Sequence, residues 1–168
     1  MGQISVIAYI IAWKLCTTMK TSDVTNTLTL ALQASGCDQA RVVHKPRLLS
    51  DNGSSYVSSE LAGWLGDKKM GHVKGAPYHP QTQGKIERWH QTLKNRILLE
   101  NYFFPADLEA KIETFVDHYN HRRYHEGINN LTPADVYFVR GQSILKQRER
   151  IKLKTMEHRR LQHRKYAA

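Results

Sequence analysis

The chain has 168 residues, of which 40% are hydrophobic, 24% charged and 9% aromatic, and its formal net charge is +10. That length and apolar content fit one folded domain with a real core and exclude a wholly disordered chain. The excess of positive charge points to a polyanionic partner.

The charge is unevenly placed. Residues 146 to 165 hold nine Lys and Arg against Glu149 and Glu157, which accounts for +7 of the total. A basic run of this kind is either a solvated, helical extension or a nucleic-acid contact through phosphates. Cys16 and Cys37 make neither a disulfide framework nor a Cys-x-x-Cys zinc pattern, which suits a reducing cytoplasm. The apolar run Ile4 to Cys16 is too short to span a bilayer and has no basic segment before it, so no membrane association is expected.

In chain order, the β-branched and aromatic run from Ile4 to Thr17 predicts a strand buried on both faces. Thr21-Ser22-Asp23 starts a helix, Val24, Leu28, Ala31 and Leu32 give it a helical stripe, and Gly36 stops it. Arg41 to Ser50, interrupted by Pro46, predicts a second strand ending in Leu48-Leu49. A helix is expected over residues 54–66, with Leu61, Trp64 and Leu65 as its apolar side, then a short edge strand or extended segment from Met70 to Ala76. Pro77 and Pro80 mark a loop that feeds a long helix from about Gln83 to Tyr102. A further helix is expected from about Ala106 to Arg123, with Leu108, Ile112, Phe115, Val116 and Tyr119 as its core face. Thr132 then caps a short helix that has Pro133 in its first position. Strands alternating with helices indicate an α/β fold.

Two carboxylates carry the chemistry. Asp51 follows a buried strand end and precedes Asn52-Gly53, where α/β sheets place their ligands, although Asp-Asn-Gly is also an ordinary turn. Glu87 lies opposite the stripe Ile86, Trp89, Leu93 and Ile97, on the face shared by Gln83, His90, Gln91 and Lys94. Such a face can be merely solvated, but the polar, Pro-punctuated loop before it is of the kind that carries binding work. Two carboxylates from different elements in a basic protein suggest divalent metal and phosphodiester chemistry. His118, His121 and His125 have metal-like spacing, but Arg122 and Arg123 between them favour a structural or DNA-facing role. Trp64, Trp89 and Phe115 read as core rather than as base-stacking platforms.

Asp51-Asn52-Gly53, 35 intervening residues, and Glu87 within Gln-Gly-Lys-Ile-Glu-Arg resemble the second half of the D,D-35-E motif of retroviral-integrase-like recombinases. The segments from Tyr78 to Arg88, from Tyr119 to His125 and from Leu131 to Tyr137 are similar to signatures of bacterial insertion-sequence transposases in that superfamily. The resemblance implies an RNase H-like, integrase-core fold, with Mg²⁺ or Mn²⁺ held at Asp51 and Glu87 as the catalytic carboxylates. It also implies DNA contacts at Asn52, Gln83, Lys85, Arg88 and Lys94, and cleavage and joining of DNA at transposon ends and target. The expected partners are DNA and either further copies of the chain or an intact transposase. Tyr9 to Leu15 resembles the family's third strand, so the first two strands and the first catalytic aspartate are expected to be missing. Asp23 and Asp38 belong to a helix start and a turn, and neither replaces that aspartate. On this reading residues 1–141 form a partial catalytic core and 142–168 a basic tail, with little activity from the chain alone. The alternative is a non-catalytic DNA-binding or oligomerising module that pairs with intact transposase.

Overall fold

A computed structural model describes residues 9–39, 43–75, 90–97, 102 and 104–166. The described elements are α1 (Thr21–Ser35), β1 (Arg47–Ser50), α2 (Ser59–Asp67), β2 (Gly71–Lys74), a helical stretch over residues 90–97 (α3), α4 (Pro105–His121), α5 (Pro133–Tyr137) and α6 (Gly141–Tyr166). A single 3₁₀ turn, Glu126–Ile128, separates α4 from α5. The contacts divide the chain into two units, one formed by residues 10–115 and the other by Tyr9 with residues 116 onward.

In the first unit, α1 begins where Asp23 reaches back to its own N-terminus. The Asp23 carboxylate accepts from the Lys20 backbone N–H at 3.2 Å and from the Thr18 hydroxyl. Those hydrogen bonds, led by Thr18, lower the Asp23 pKa. Gly36 ends the helix in the left-handed region, φ +68°, where its lack of a Cβ removes the usual strain. Its N–H donates to the Gln33 carbonyl at 3.1 Å and the next N–H, of Cys37, donates to Leu32 at 3.0 Å.

Over the described part of the second predicted strand, pairing begins after Pro46, at Arg47–Ser50. It pairs in parallel with β2, in the register Arg47 with Gly71 through Ser50 with Lys74. Parallel neighbours need a crossover, and α2 supplies it. This helix starts later than its periodicity suggests, because Tyr56 and Val57 first turn back onto the Gly53 carbonyl. Ser58 then caps it, its Oγ accepting from the Leu61 N–H at 3.2 Å. Leu61 and Leu65 are 0% and 2% exposed, worth about 1.5–3 kcal/mol each in burial. Through this face α2 packs on both α1 and β2.

The apolar run at the start of the chain does not form the expected strand over its described part. Residues 9–20 form no strand, and Ile11 is 39% exposed. β-branched residues favour a pleated surface, but a strand exists only where a neighbour completes its hydrogen-bond ladder. Among the described residues the sheet has two strands.

Ile112, Phe115, Val116 and Tyr119 of α4 are buried, as their spacing predicts. In the second unit, α5 has the expected Thr132 cap with Pro133 in the first turn. The Thr132 hydroxyl accepts from Asp135 N–H at 3.2 Å and the Asp135 carboxylate accepts from Thr132 N–H at 3.1 Å. Tyr9 stacks on Tyr137 with centroids 4.5 Å apart and meets Phe138 edge-on at 5.7 Å. Between α5 and α6, Val139 sits at φ +57°.

Candidate functional site

The parallel ladder puts the C-terminal ends of β1 and β2 side by side. Asp51 and Asn52 follow the first and Gly75 the second. Gly75 N–H donates to the Ser50 carbonyl at 2.9 Å, which carries the ladder one step beyond the strands. Asn52 Nδ2 donates to the Gly75 carbonyl at 3.0 Å and ties the loop after β1 to the end of β2. Just before it, the Ser50 hydroxyl is buried and lies 2.8 Å from His72 Nε2 on the neighbouring strand. Ser50 Oγ also donates to the Asp51 carbonyl at 2.9 Å, so Nε2–H of His72 is the donor of the cross-strand pair. Desolvation, and then the Lys74 charge, lower the His72 pKa, and a neutral ring with its proton on Nε2 makes this bond.

Asp51 is exposed at this strand end. Its Oδ1 accepts from Gly53 N–H at 2.9 Å, and among the described residues no ion pair neutralises it. The fit at Gly53 is close, since a Cβ there would lie 3.0 Å from Asp51 Oδ1 and 3.5 Å from the Tyr56 ring. Burial, and then the Asp51 charge, raise the Tyr56 pKa, so its hydroxyl stays protonated. Thus the Asp-Asn-Gly segment is both a turn and a presented carboxylate.

The loop holding Asp51 is anchored at its far end. Ser55 donates to the Met19 carbonyl, and Thr21 of α1 donates to Ser58 Oγ at 3.0 Å. Between residues 16–20, α1 and this loop lies a cleft of about 280 Å³, lined by Lys20, Asp23, Val24, Leu48, Ser55 and Tyr56 among others. Asp23 faces it as a helix-capping group already engaged by Thr18 and Lys20.

Of the remaining predicted site residues, Lys94 is described and exposed on α3, on the same side as His90 and Gln91. Leu93 and Ile97 are half-buried, as the expected stripe requires. Desolvation and the Lys94 charge lower the His90 pKa. Gln83, Lys85, Glu87 and Arg88, with Ile86 and Trp89 of the stripe, lie outside the described residues. Among the described residues no group of three or more His, Cys, Asp and Glu is arranged to hold a metal ion. His121 meets Tyr9 edge-on, and His125 meets Tyr119 edge-on at 5.3 Å. Trp64 is half-buried with Lys68 Nζ 5.9 Å from its ring, and Phe115 is buried. No described helix is long and apolar enough to cross a membrane.

Sequence reasoning missed Tyr56 and His72. Tyr56 closes a turn onto Gly53, and the spacing Gly53 to Tyr56 is the signal that could have found it. His72 reaches Ser50 only through the ladder register, which no local pattern reveals.

Residues 68–133 match the family model described as Integrase core domain. The Pol polyprotein of Equine infectious anemia virus (strain Wyoming) is 29% identical over 109 residues, which cover 65% of this chain and 9% of the polyprotein. The chain therefore spans about a tenth of that relative's length. The catalytic core domain of BIV integrase is similar with a TM-score of 0.55 at 22% identity, over 79% of this chain and 80% of that one. A chain of the simian T-cell lymphotropic virus intasome, solved in complex with PP2A regulatory subunit B56 gamma, gives a TM-score of 0.56 at 20% identity, over 71% of this chain and 41% of that one. The chain has the α/β, RNase H-like fold of an integrase catalytic core, and its middle segment matches the Integrase core domain family.

Proposed function

We propose that the chain is the core part of a DNA-cleaving and DNA-joining recombinase of the insertion-sequence transposase type. The observation that carries this reading is the exposed Asp51 carboxylate at the paired strand ends of an integrase-core fold, with Oδ1 set by Gly53. Asp51 and Glu87 would hold Mg²⁺ or Mn²⁺. A solvent-exposed carboxylate without an ion-pair partner among the described residues suits such a hard cation. When bound, the ion would stabilise charge on a phosphodiester and activate an attacking oxygen.

The chain's own residues would do the rest. Gly53 N–H and the Asn52–Gly75 bond hold the Asp51 loop in one orientation. Asn52, Gln83, Lys85, Arg88 and Lys94 would position the DNA backbone, Asn52 through the amide oxygen that its bond to Gly75 leaves over. The partners would be transposon-end and target DNA together with further copies of the chain or intact transposase, in the cytoplasm.

The test is an oligonucleotide cleavage and joining assay with Mg²⁺ or Mn²⁺. Only low-level metal-dependent products are expected from the chain alone, and these are expected to be lost in Asp51→Asn and Glu87→Gln. Salt-sensitive DNA binding that neither substitution changes, without products, would replace this reading by a non-catalytic DNA-binding or oligomerising module. One observation favours that second reading: Asp23, one of two carboxylates upstream of Asp51 on the same unit, is occupied as a helix cap.

A further inference from the structure

We propose that α6 is an arm that lies along the sugar–phosphate backbone of duplex DNA, presenting one side of its circumference. The inference rests on the recombinase reading for its choice of DNA among polyanions. It goes beyond that reading in assigning a second contact surface, on a different unit from Asp51.

The helix has 26 residues and none of them is buried. It carries nine Lys and Arg and two Glu, so most of the chain's formal charge stands on it. A helix that is polar all round has no core to hold it, and a partner or dense side-chain pairing must stabilise it. No ion pair between its acidic and basic residues is present among the described residues. At about 100° per residue, Arg148, Arg150, Lys152, Lys154, His158, Arg159 and Lys165 share about 200° of the circumference. Glu149 and Glu157 both fall in the remaining part, with Lys146, Arg160 and Arg164. One side is therefore free of acid over its whole length.

The apolar residues exclude two other partners. Ile144, Leu145, Ile151, Leu153, Met156 and Leu161 are spread around the helix rather than gathered in one stripe, and Lys152 and Arg159 interrupt the densest part. A membrane-surface helix or a coiled coil needs a continuous apolar seam.

The base of the arm is held. Ile144 and Leu145 are half-buried, and Arg148 donates through Nη1 to the carbonyls of Asn129 and Asn130 at 3.2 and 2.9 Å. Both asparagines are left-handed, φ +58° and +54°, and the Arg148 guanidinium also lies over Tyr124 at 5.8 Å. From this latch the exposed helix continues to Tyr166. Its full length is about 39 Å, close to one turn of B-form duplex.

The experiment is fluorescence anisotropy of the full chain with a random-sequence duplex in EDTA, over a salt series. R150Q/K154Q/K165Q, on the acid-free side, is expected to weaken binding at least about tenfold and to flatten the slope of log K against log salt by about 2–3. K146Q/R160Q/R164Q, on the side with the glutamates, removes the same charge and is expected to change the slope less. Circular dichroism confirms that each variant retains its helix. Equal effects of the two triple variants, or an unchanged slope in the first, would overturn the proposal. Preferential binding to phosphatidylserine vesicles at the same salt, lost in the first variant, would overturn it in favour of a membrane surface. The arm is read from the salt slope in EDTA and the catalytic reading from cleavage and joining products with Mg²⁺ or Mn²⁺, so failure of one and failure of the other give different results.

Discussion

Ser58→Ala tests how the Asp51 loop is held. Ser58 Oγ caps α2 by accepting from Leu61 N–H, and it also accepts from the Thr21 hydroxyl at the start of α1. Loss of an N-cap oxygen costs about 1 kcal/mol. Thr21 is only 9% exposed, so its hydroxyl is left without this acceptor, at about 1 kcal/mol more. The expected loss is about 2 kcal/mol, which for a chain of this size lowers Tm by roughly 4–8 °C. Urea and thermal unfolding followed by circular dichroism measure it. The double variant with Thr21→Val separates the two contributions, and a coupling of about 1 kcal/mol is expected for directly bonded side chains. A loss below about 0.5 kcal/mol, or additive effects in the cycle, would refute the claim that this serine joins the two helices.

Four other outcomes follow from the same geometry. Gly53→Ala brings a methyl within 3.0 Å of Asp51 Oδ1, so metal-dependent activity is expected to fall more than stability, and equal losses in turnover assay and urea titration would contradict this. Gly141→Ala places its methyl 2.8 Å from Leu131 Cδ1, and Leu131 is buried, so a loss of about 1–2 kcal/mol is expected in urea unfolding despite the better helix propensity. Val139→Gly relieves a β-branched residue at φ +57° and is expected to raise stability by about 0.5–1 kcal/mol, with no gain in Tm counting against strain there. His125 titrates below its ordinary range because of burial and then the Arg123 charge, so the folded state binds its proton less readily than the unfolded state. Its contribution to stability is then present above about pH 6.5 and lost as pH falls through the folded pKa, and His125→Gln should reduce the drop in urea stability between pH 7.5 and 5.5.

The helix ends were the most legible part of this fold. Gly36, Thr132 and Pro133 act through their own backbone, so their meaning is local. The core faces of α2 and α4 were legible because Leu61, Leu65, Ile112 and Phe115 repeat at the helical period. The start of the chain was not. Its apolar, β-branched run states a preference, while a strand also needs a partner, and that is a property of the whole sheet. At the site, Asp51 and the Asp-Asn-Gly turn were visible as two competing readings, and the structure satisfies both with one carboxylate. Tyr56 was signalled only by its spacing from Gly53, and His72 was invisible because the β1–β2 register brings it in.

The loop after β1 also has a chemical lifetime. Asn-Gly is the dipeptide most prone to cyclise, since the glycine nitrogen meets little hindrance in attacking the asparagine side-chain carbonyl. Here both reactants are tied in other directions, Gly53 N–H to Asp51 Oδ1 and Asn52 Nδ2 to the Gly75 carbonyl. Folding thus protects the bond beside the carboxylate from ageing. Aspartate or isoaspartate appearing at position 52, read by peptide mapping of stored protein, would record how long each molecule has spent with that loop open.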